Sequence, residues 1–470
     1  MSVPATATST LAARDQLTLA LDRAAGARPI EGNRLEHHPD SPRALNAMLA
    51  AIAAARRWVH FENYIIRDDA TGRRFADALA ERARAGVRVR VLYDALGSFG
   101  TSRRYWRQLV QAGVEVRAFH PLLTRHALDL LARDHRKLLV ADGTWAMTGG
   151  LCIGDEWAGD PARGRRPWRD TMVAVTGPAA AALDATFARI WRQAGAPLPP
   201  DELDADPASG GDSTVRVVEG VPGRARVYRA VELLAASAAE RLWITDAYLI
   251  APAPLYASLL DAARSGVDVR LLVPGTTDLP VLRNFTRVGY RDLLRAGVRV
   301  FEYQGPMIHA KTIVVDRRWA RVGSTNLNVS SLLTNYELDL AAECEGLTEE
   351  LARQFRHDLA SSQEIVLQPR RMRLPPRLTT GSAPDEGDAP HKRSGYELGA
   401  VAVVALRRVA GGLRRAIAAT AALGCAVVGG LLLVFPRIMG VVLAAGAFTL
   451  ALAFGVYALE RRRARDSDDG

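Results

Sequence analysis

Lysine is almost missing from this chain. Of 61 basic residues only Lys137, Lys311 and Lys392 are lysine, an imbalance that reads as a coding bias and makes each surviving lysine informative. Cysteine is as scarce. Cys152, Cys344 and Cys425 lie far apart and form no Cys-x-x-Cys pair, which excludes a disulfide framework and a structural zinc site and fits a reducing compartment. No basic residue precedes Arg14, and the short apolar stretch Leu17 to Leu21 stops at Asp22 and Arg23, so no secretory signal is expected and the folded part is predicted to stay inside the cell. Aromatic residues make up 6% of the chain and form no stacking ladder of the kind single-stranded nucleic acid requires.

What is present argues for a large folded protein. A chain of 470 residues, 49% hydrophobic and 24% charged, can bury a sizeable core spread over two or three globular units. The formal charge of +10 and pI near 9.9 favour anionic partners, whether nucleic acid, phospholipid headgroups or a negatively charged bilayer.

Much of the chain reads as an internal repeat with an offset of about 184 residues. The strand-like run Arg57 to Ile66 resembles Arg241 to Ile250, and each carries a carboxylate followed two positions later by tyrosine: Glu62 and Tyr64, Asp246 and Tyr248. The helical stretch Arg73 to Ala85 leads through Gly86 into a strand, as Leu255 to Ser265 does through Gly266. A second such unit follows, Ala112 to His120 matching Ala296 to Gln304. Strands alternating with helices predict an α/β layered fold.

The Pro, Asp and Gly content of Pro197 to Ser213 marks a boundary between halves. A second linker, Gln368 to Ser394, carries Pro375, Pro376, Pro384 and Pro390 and reads as flexible. Beyond it, Ala416 to Phe435 and Ile438 to Leu459 contain no charge, and each is long enough to cross a bilayer as a helix. Only Pro436 and Arg437 separate them, which predicts an antiparallel transmembrane hairpin. Arg407, Arg408, Arg414 and Arg415 precede it and Arg461, Arg462, Arg463 and Arg465 follow it, so both ends are expected on the cytoplasmic side. The expected organisation is an N-terminal extension (1–30), a first half (31–196), a linker (197–213), a second half (214–367), a flexible linker (368–394), a membrane-anchoring hairpin (395–460) and a short charged tail (461–470).

Two of the three lysines fall in a repeated pattern. His135, Lys137 and Asp142 form H-x-K-x(4)-D, and His309, Lys311 and Asp316 repeat it. Residues two apart on a strand share a face, so histidine and lysine can address one bound anion while the apolar run behind them buries the strand. Lysine supplies a point charge for phosphate oxygens, and imidazole near neutral pH can attack phosphorus or carry a proton. The remaining histidines show no such spacing, and only His120 and His126, just before the first motif, invite suspicion as headgroup contacts.

On these residues the chain resembles the phospholipase D superfamily, and its surrounding sequence resembles bacterial cardiolipin synthases, over Glu31 to Val366. The resemblance implies two α/β halves of mixed sheet flanked by helices and related by a pseudo-twofold axis, one active site at their interface, and no metal or other cofactor. It implies that His135 is the nucleophile forming phosphohistidine and that His309 is the general acid and base. Gly323 to Asn328 (GSTNLN) matches a family element that assigns phosphate hydrogen bonds to Ser324 and Asn326, and Glu337 fits the acidic position after it. In the first half Gly149 to Trp157 places Cys152 where the family has asparagine, and Glu156 takes the acidic slot. A thiol donates more weakly than an amide. Asp142 and Asp316 are expected to orient neighbours without reacting, and Glu156 and Glu337 to hold imidazole tautomers.

The expected function is transfer of a phosphatidyl group between two phosphatidylglycerol molecules, with anionic phospholipid and the inner face of the bacterial cytoplasmic membrane as partners and no nucleic acid. The hydrolytic alternative releases phosphatidate. A nuclease or other phosphodiesterase, and a binding module with a degenerate site, are the more distant ones.

Overall fold

The computed structural model describes residues 16–121, 132–278, 287–367 and 394–395. Both apolar runs of the expected hairpin, and His126, lie outside the described residues. Among the described residues no helix is long and apolar enough to cross a membrane.

The first half contributes seven strands: β1 (Ile30–His38), β2 (Trp58–Asn63), β3 (Arg88–Asp94), β4 (Glu115–Phe119), β5 (Lys137–Ala141), β6 (Trp145–Gly149) and β7 (Met172–Thr176). The second repeats them as β8 (Ser213–Gly220), β9 (Arg241–Thr245), β10 (Asp268–Pro274), β11 (Arg299–Tyr303), β12 (Thr312–Val315), β13 (Trp319–Gly323) and β14 (Glu337–Glu343), then adds β15 (Ser362–Val366) and the short β16 (Ser394–Gly395). The spatial order runs β16-β15-β11-β10-β9-β12-β13-β14-β8, crosses the seam to β1, and continues β7-β6-β5-β2-β3-β4. Read outward from the seam, both halves have one strand order. β1 and β8 pair antiparallel, Ile30 opposite Val215, as a two-fold relation between the halves requires.

Each half is a mixed sheet. β2, β3 and β4 are parallel and β2 pairs antiparallel with β5, as β9, β10, β11 and β12 do in the second half. The parallel strands are joined by helices, Ala70–Arg84 and Arg103–Gln111 in the first half. The first of these starts where the Asp69 carboxylate accepts from the Gly72 N–H at 2.8 Å and ends just before Gly86. Gly86 and its counterpart Gly266 have φ of +88° and +93°, the left-handed stop that favours glycine.

β2 is buried on both faces. Val59 and Phe61 point into an outer core with Phe75 and Leu79, whereas Trp58 and His60 face helix Pro178–Gln193. That helix and Glu345–Ala360 both enter a central core shared by the two halves, in which Phe187 and Trp191 join Trp243, Leu338 and Phe355. Alternation along a fully covered strand thus serves two cores.

The segment expected as a loose linker, 197–213, is partly pinned. Glu202 is buried and pairs with Arg90 Nε at 2.5 Å and with His60 Nε2 at 3.2 Å. Its side chain fills a polar hole that His60 opens in the core.

Candidate active site

Both motif histidines sit at one sheet edge. His135 precedes β5 and His309 precedes β12, and the antiparallel pairing of those strands puts each beside the carboxyl end of β2 or β9. The halves meet there through two short bridges, Asp134 with Tyr336 and Arg169 with Ile308.

Each motif histidine is held by the opposite half at two points, its backbone N–H and its ring. The His135 N–H donates to the Tyr336 carbonyl at 2.9 Å, and Nδ1 lies 3.0 Å from both carboxylate oxygens of Glu337. The His309 N–H donates to the Arg169 carbonyl at 2.7 Å, and Nδ1 lies 2.7 Å from Asp170 Oδ2. A carboxylate only accepts, so Nδ1 carries the proton in these contacts and Nε2 is the ring nitrogen that keeps its lone pair.

The lysines are fully buried. Each Nζ donates to the carbonyl of its own motif histidine. Lys311 Nζ also stands 2.9 Å and 3.0 Å from the two ring nitrogens of His309, and Lys137 Nζ sits 5.1 Å from the Tyr64 ring centre. Burial, opposed by Asp170 and reinforced by the Lys137 charge, pushes Lys311 down to about 8. Burial also pushes His135 down to about 4, against Glu337 and with help from both lysines. His309 moves the same way, through burial and then Lys311. Burial would raise Glu337, but His135, Lys137 and Ser324 hold it near 2. Asp170 is lowered against burial by His309 and Lys311.

Near neutral pH the site therefore holds two neutral imidazoles and two ionised carboxylates beside the two buried lysines. Lys311 acts on His135 and Lys137 acts on His309, so the two motifs share one electrostatic pocket. Its lysines can receive the nonbridging oxygens of a phosphodiester. Among the described residues no cluster of His, Cys, Asp and Glu is arranged to hold a metal ion.

Aromatic rings wall the imidazoles. Tyr64 meets His135 edge-on at 4.9 Å between ring centres, and Tyr248 meets His309 at 6.0 Å. Their neighbours in the repeat do not join them. Glu62 turns away to Arg136, 3.0 Å from its Nε, and Asp246 accepts from the backbone N–H groups of Tyr248 and Leu327. The His309 side carries two further rings, Trp157 at 5.7 Å and Trp168 at 6.1 Å.

Of the expected phosphate contacts, Asn326 is buried beside the site and its side-chain oxygen has no partner among the described residues. The Ser324 hydroxyl donates to Glu337 Oε2 at 2.5 Å, so it braces the carboxylate that holds His135. Cys152 occupies the place in the first half that Asn326 has in the second and is buried, with its thiol pushed up mainly by burial. His120 lies against Phe119, its Nδ1 2.8 Å from the Ala132 carbonyl.

Three expected residues lie elsewhere. Asp142 and Asp316 stand five residues beyond the motif lysines, about 16 Å along a strand. Their carboxylates accept backbone N–H groups, Asp142 from Arg56, Arg57 and Trp58 at 2.7 to 3.0 Å, and Asp316 from Ala239, Glu240 and Arg241 at 2.8 to 3.2 Å. They tie the end of one strand to the start of its neighbour. Glu156 is not the partner of an imidazole: it is part-exposed and pairs with Arg67 at 3.3 Å.

The residue that takes that place is Asp170. Met172 pairs with Gly149 as Asp339 pairs with Gly323, which makes Asp170 the structural counterpart of Glu337. It stands 21 positions after Gly149, whereas Glu337 stands 14 after Gly323. The extra residues contribute Trp157, whose indole N–H donates to Asp170 Oδ2 at 3.2 Å. A Cβ on Gly150 would come within 2.2 Å of Asp170 Oδ1, so glycine there leaves room for the carboxylate. The one sequence signal was an acid just before the strand Met172–Thr176, as Glu337 opens its own.

A family model described as "Cardiolipin synthase, PLD-like domain" matches residues 48–191 and 232–359. "Cardiolipin synthase A" of Pseudomonas aeruginosa (strain LESB58) is 36% identical over 348 residues, covering 73% of this chain and 70% of the relative. "Cardiolipin synthase" of Halalkalibacterium halodurans is 35% identical over 324 residues, covering 67% and 64%. Among solved structures, the phosphatidylserine synthase of Haemophilus influenzae Rd KW20 superposes with a TM-score of 0.59 at 14% identity, covering 74% of this chain and 92% of that one. That likeness is one of fold.

Proposed function

The chain belongs to the cardiolipin synthase type of the phospholipase D superfamily, and from that premise we propose that it is the phosphatidyltransferase joining two phosphatidylglycerol molecules into cardiolipin and glycerol. The observation that carries the reading is the reciprocal pairing of His135 with Glu337 and His309 with Asp170 across the seam.

In this reading His135 Nε2 attacks the phosphorus of the first lipid. The bond from phosphorus to the headgroup glycerol oxygen breaks, and His309 gives that oxygen its proton, leaving a phosphatidyl group on His135. A hydroxyl of the second phosphatidylglycerol headgroup then passes its proton back to His309 and attacks phosphorus. The phosphorus–nitrogen bond breaks and cardiolipin leaves. His309 must be protonated for the first half of the cycle, although burial and Lys311 lower its pKa. The phosphodiester brings a negative charge beside Lys311, and that charge favours the imidazolium. Asp170 favours it too and fixes its orientation.

The test is incubation of the purified full chain with phosphatidylglycerol labelled in both headgroup and acyl chains. Cardiolipin and free glycerol in equal amounts are expected. Phosphatidate as the main product would replace the transferase by a hydrolase, and no turnover by folded protein would overturn both. His135→Ala and His309→Ala should each abolish turnover with the circular dichroism unchanged.

We place the enzyme at the cytoplasmic face of a bacterial inner membrane, anchored by a hairpin formed from 416–435 and 438–459. The support is two uncharged stretches of spanning length flanked by arginine clusters. Residues 368–394 would then tether the catalytic part. The full chain should stay in the membrane pellet after carbonate extraction, and release into the supernatant would remove this reading.

A further inference from the structure

We propose that the sheet edge bearing the active site, with Leu96 and Phe99 of one half, Val329 and Leu333 of the other, and the exposed Arg165 and Arg166, is a docking surface for an anionic phospholipid bilayer. The inference rests on the lipid substrate read above and adds the surface that meets the lipid.

Topology puts these residues at one edge of the sheet. β2 and β3 are parallel, so Tyr64, just after β2, and Leu96 and Phe99, just after β3, lie where His135 lies. β6 runs antiparallel to β5, so the connection leaving Gly149, which carries Arg165 and Arg166, departs from that edge too. In the second half β9 ends beside Tyr248, and β13 leads into Val329 and Leu333 at the same edge.

Contacts tie each segment to the site. The Ser98 hydroxyl donates to the Tyr64 carbonyl at 3.2 Å, and a Cβ on Gly97 would meet the Tyr64 ring at 2.8 Å. The Asn328 side chain donates to the Tyr248 carbonyl at 3.2 Å, and Val329 follows it. Trp168, two residues after Arg166, lies 6.1 Å from His309. Phe99 is 72% exposed and Val329 51%, although each adjoins a segment packed on a buried site.

Charge selects the occupant. Arg165 and Arg166 are exposed, and among the described residues neither forms an ion pair. Large exposed apolar side chains on the same edge as unpaired arginines fit an interface with hydrocarbon below and phosphate above. The substrate imposes the same geometry, because its phosphate must reach imidazoles that are themselves buried while its acyl chains stay in an apolar medium. An edge that enters the headgroup layer shortens that path.

The test uses the full chain in vesicles, with Phe99→Cys or Val110→Cys carrying an environment-sensitive fluorophore, Cys344 and Cys425 replaced by serine and the buried Cys152 left in place. Val110 is also exposed, at 57%, but lies near the end of the helix that leads into the start of β4, at the opposite edge. In vesicles of brominated phosphatidylcholine with phosphatidylglycerol, the label at 99 should be quenched at least twofold more than the label at 110, and this excess should vanish without the anionic lipid. Equal quenching at both positions, or a cross-linked dimer through position 99 in place of quenching, would overturn the proposal. Phe99→Ser with Val329→Ser should lower turnover of vesicle phosphatidylglycerol tenfold or more and leave turnover of a monomeric short-chain phosphatidylglycerol unchanged. An equal fall on both substrates would also overturn it. A full chain that turns over neither lipid sinks the enzymatic reading, and quenching still decides the docking.

Discussion

A histidine next to a carboxylate does different chemistry depending on which carboxylate it is, and here only geometry could decide. The resemblance gave Glu156 the acidic place after the first motif, yet Asp170 holds His309. Asp170→Asn keeps the size but removes the charge that stabilises the imidazolium and presents an amide that can fix the wrong tautomer. Its kcat is expected to fall by about 10² to 10⁴, whereas Glu156→Gln should stay within about twofold in the same assay, as expected of a part-exposed pair. His60 was legible only as an unassigned histidine, because nothing local announces a partner 124 positions away at Asp184. Burial alone would lower its pKa, but hydrogen bonds to Asp184 and Glu202 raise it. The pairing therefore contributes its full stability below the ordinary histidine value of 6.5 and loses it as pH rises through the raised folded value. Glu202, held near 2 by Arg90 and His60 against burial, has the opposite sign: its share is present above 4.5 and is lost as pH falls through about 2. The urea midpoint of the native chain should exceed that of His60→Gln most below pH 6.5, and the gap should narrow toward alkaline pH. A gap that widened instead would contradict the raised pKa.

At the scale of strands and helices, the repeat was readable because both of its signals are local. Apolar alternation with a glycine stop after each helix marks the parallel strands, and Gly86 and Gly266 mark equivalent corners. What was not readable is how the offset changes. Arg57 and Arg241 are 184 apart, His135 and His309 are 174 apart, and Asp170 and Glu337 are 167 apart, so a constant offset fails where the connections differ in length. The last motif position shows the same limit. Asp142 and Asp316 recur with the histidines, yet each carboxylate sits at φ of +56° or +51° and gathers the backbone N–H groups that open β2 or β9. The motif thus has a reacting end and a strand-tying end. Asp142→Ala should destabilise the fold by about 2 kcal/mol, since it leaves several N–H groups without their acceptor. Activity per folded molecule should stay within about twofold, measured by urea unfolding beside the turnover assay. A large loss of kcat with unchanged stability would return Asp142 to the chemistry.

The whole molecule is two half-sites, each incomplete without the other. His135 takes its carboxylate and its backbone acceptor from the second half, and His309 takes both from the first. The sequence located both imidazoles but not this exchange, because a repeat reports what the halves have in common and not what each lends its partner. The central core joins Phe187 and Trp191 to Trp243 and Phe355, and part-buried Arg169 and buried Asp358 pair across the seam at 2.8 Å. With side chains of this size contributing roughly 1.5 to 3 kcal/mol each, noncovalent contacts should hold the halves together without the peptide link. Breaking the chain between Asp206 and Pro207, beyond the pinned Glu202 and before β8, and producing both pieces in one cell should therefore yield a copurifying pair that makes cardiolipin. Neither piece alone should turn over any phosphatidylglycerol, since each lacks the acid that its own histidine needs. Activity from a single piece at any level above the His135→Ala background would mean that the exchanged carboxylates are not required.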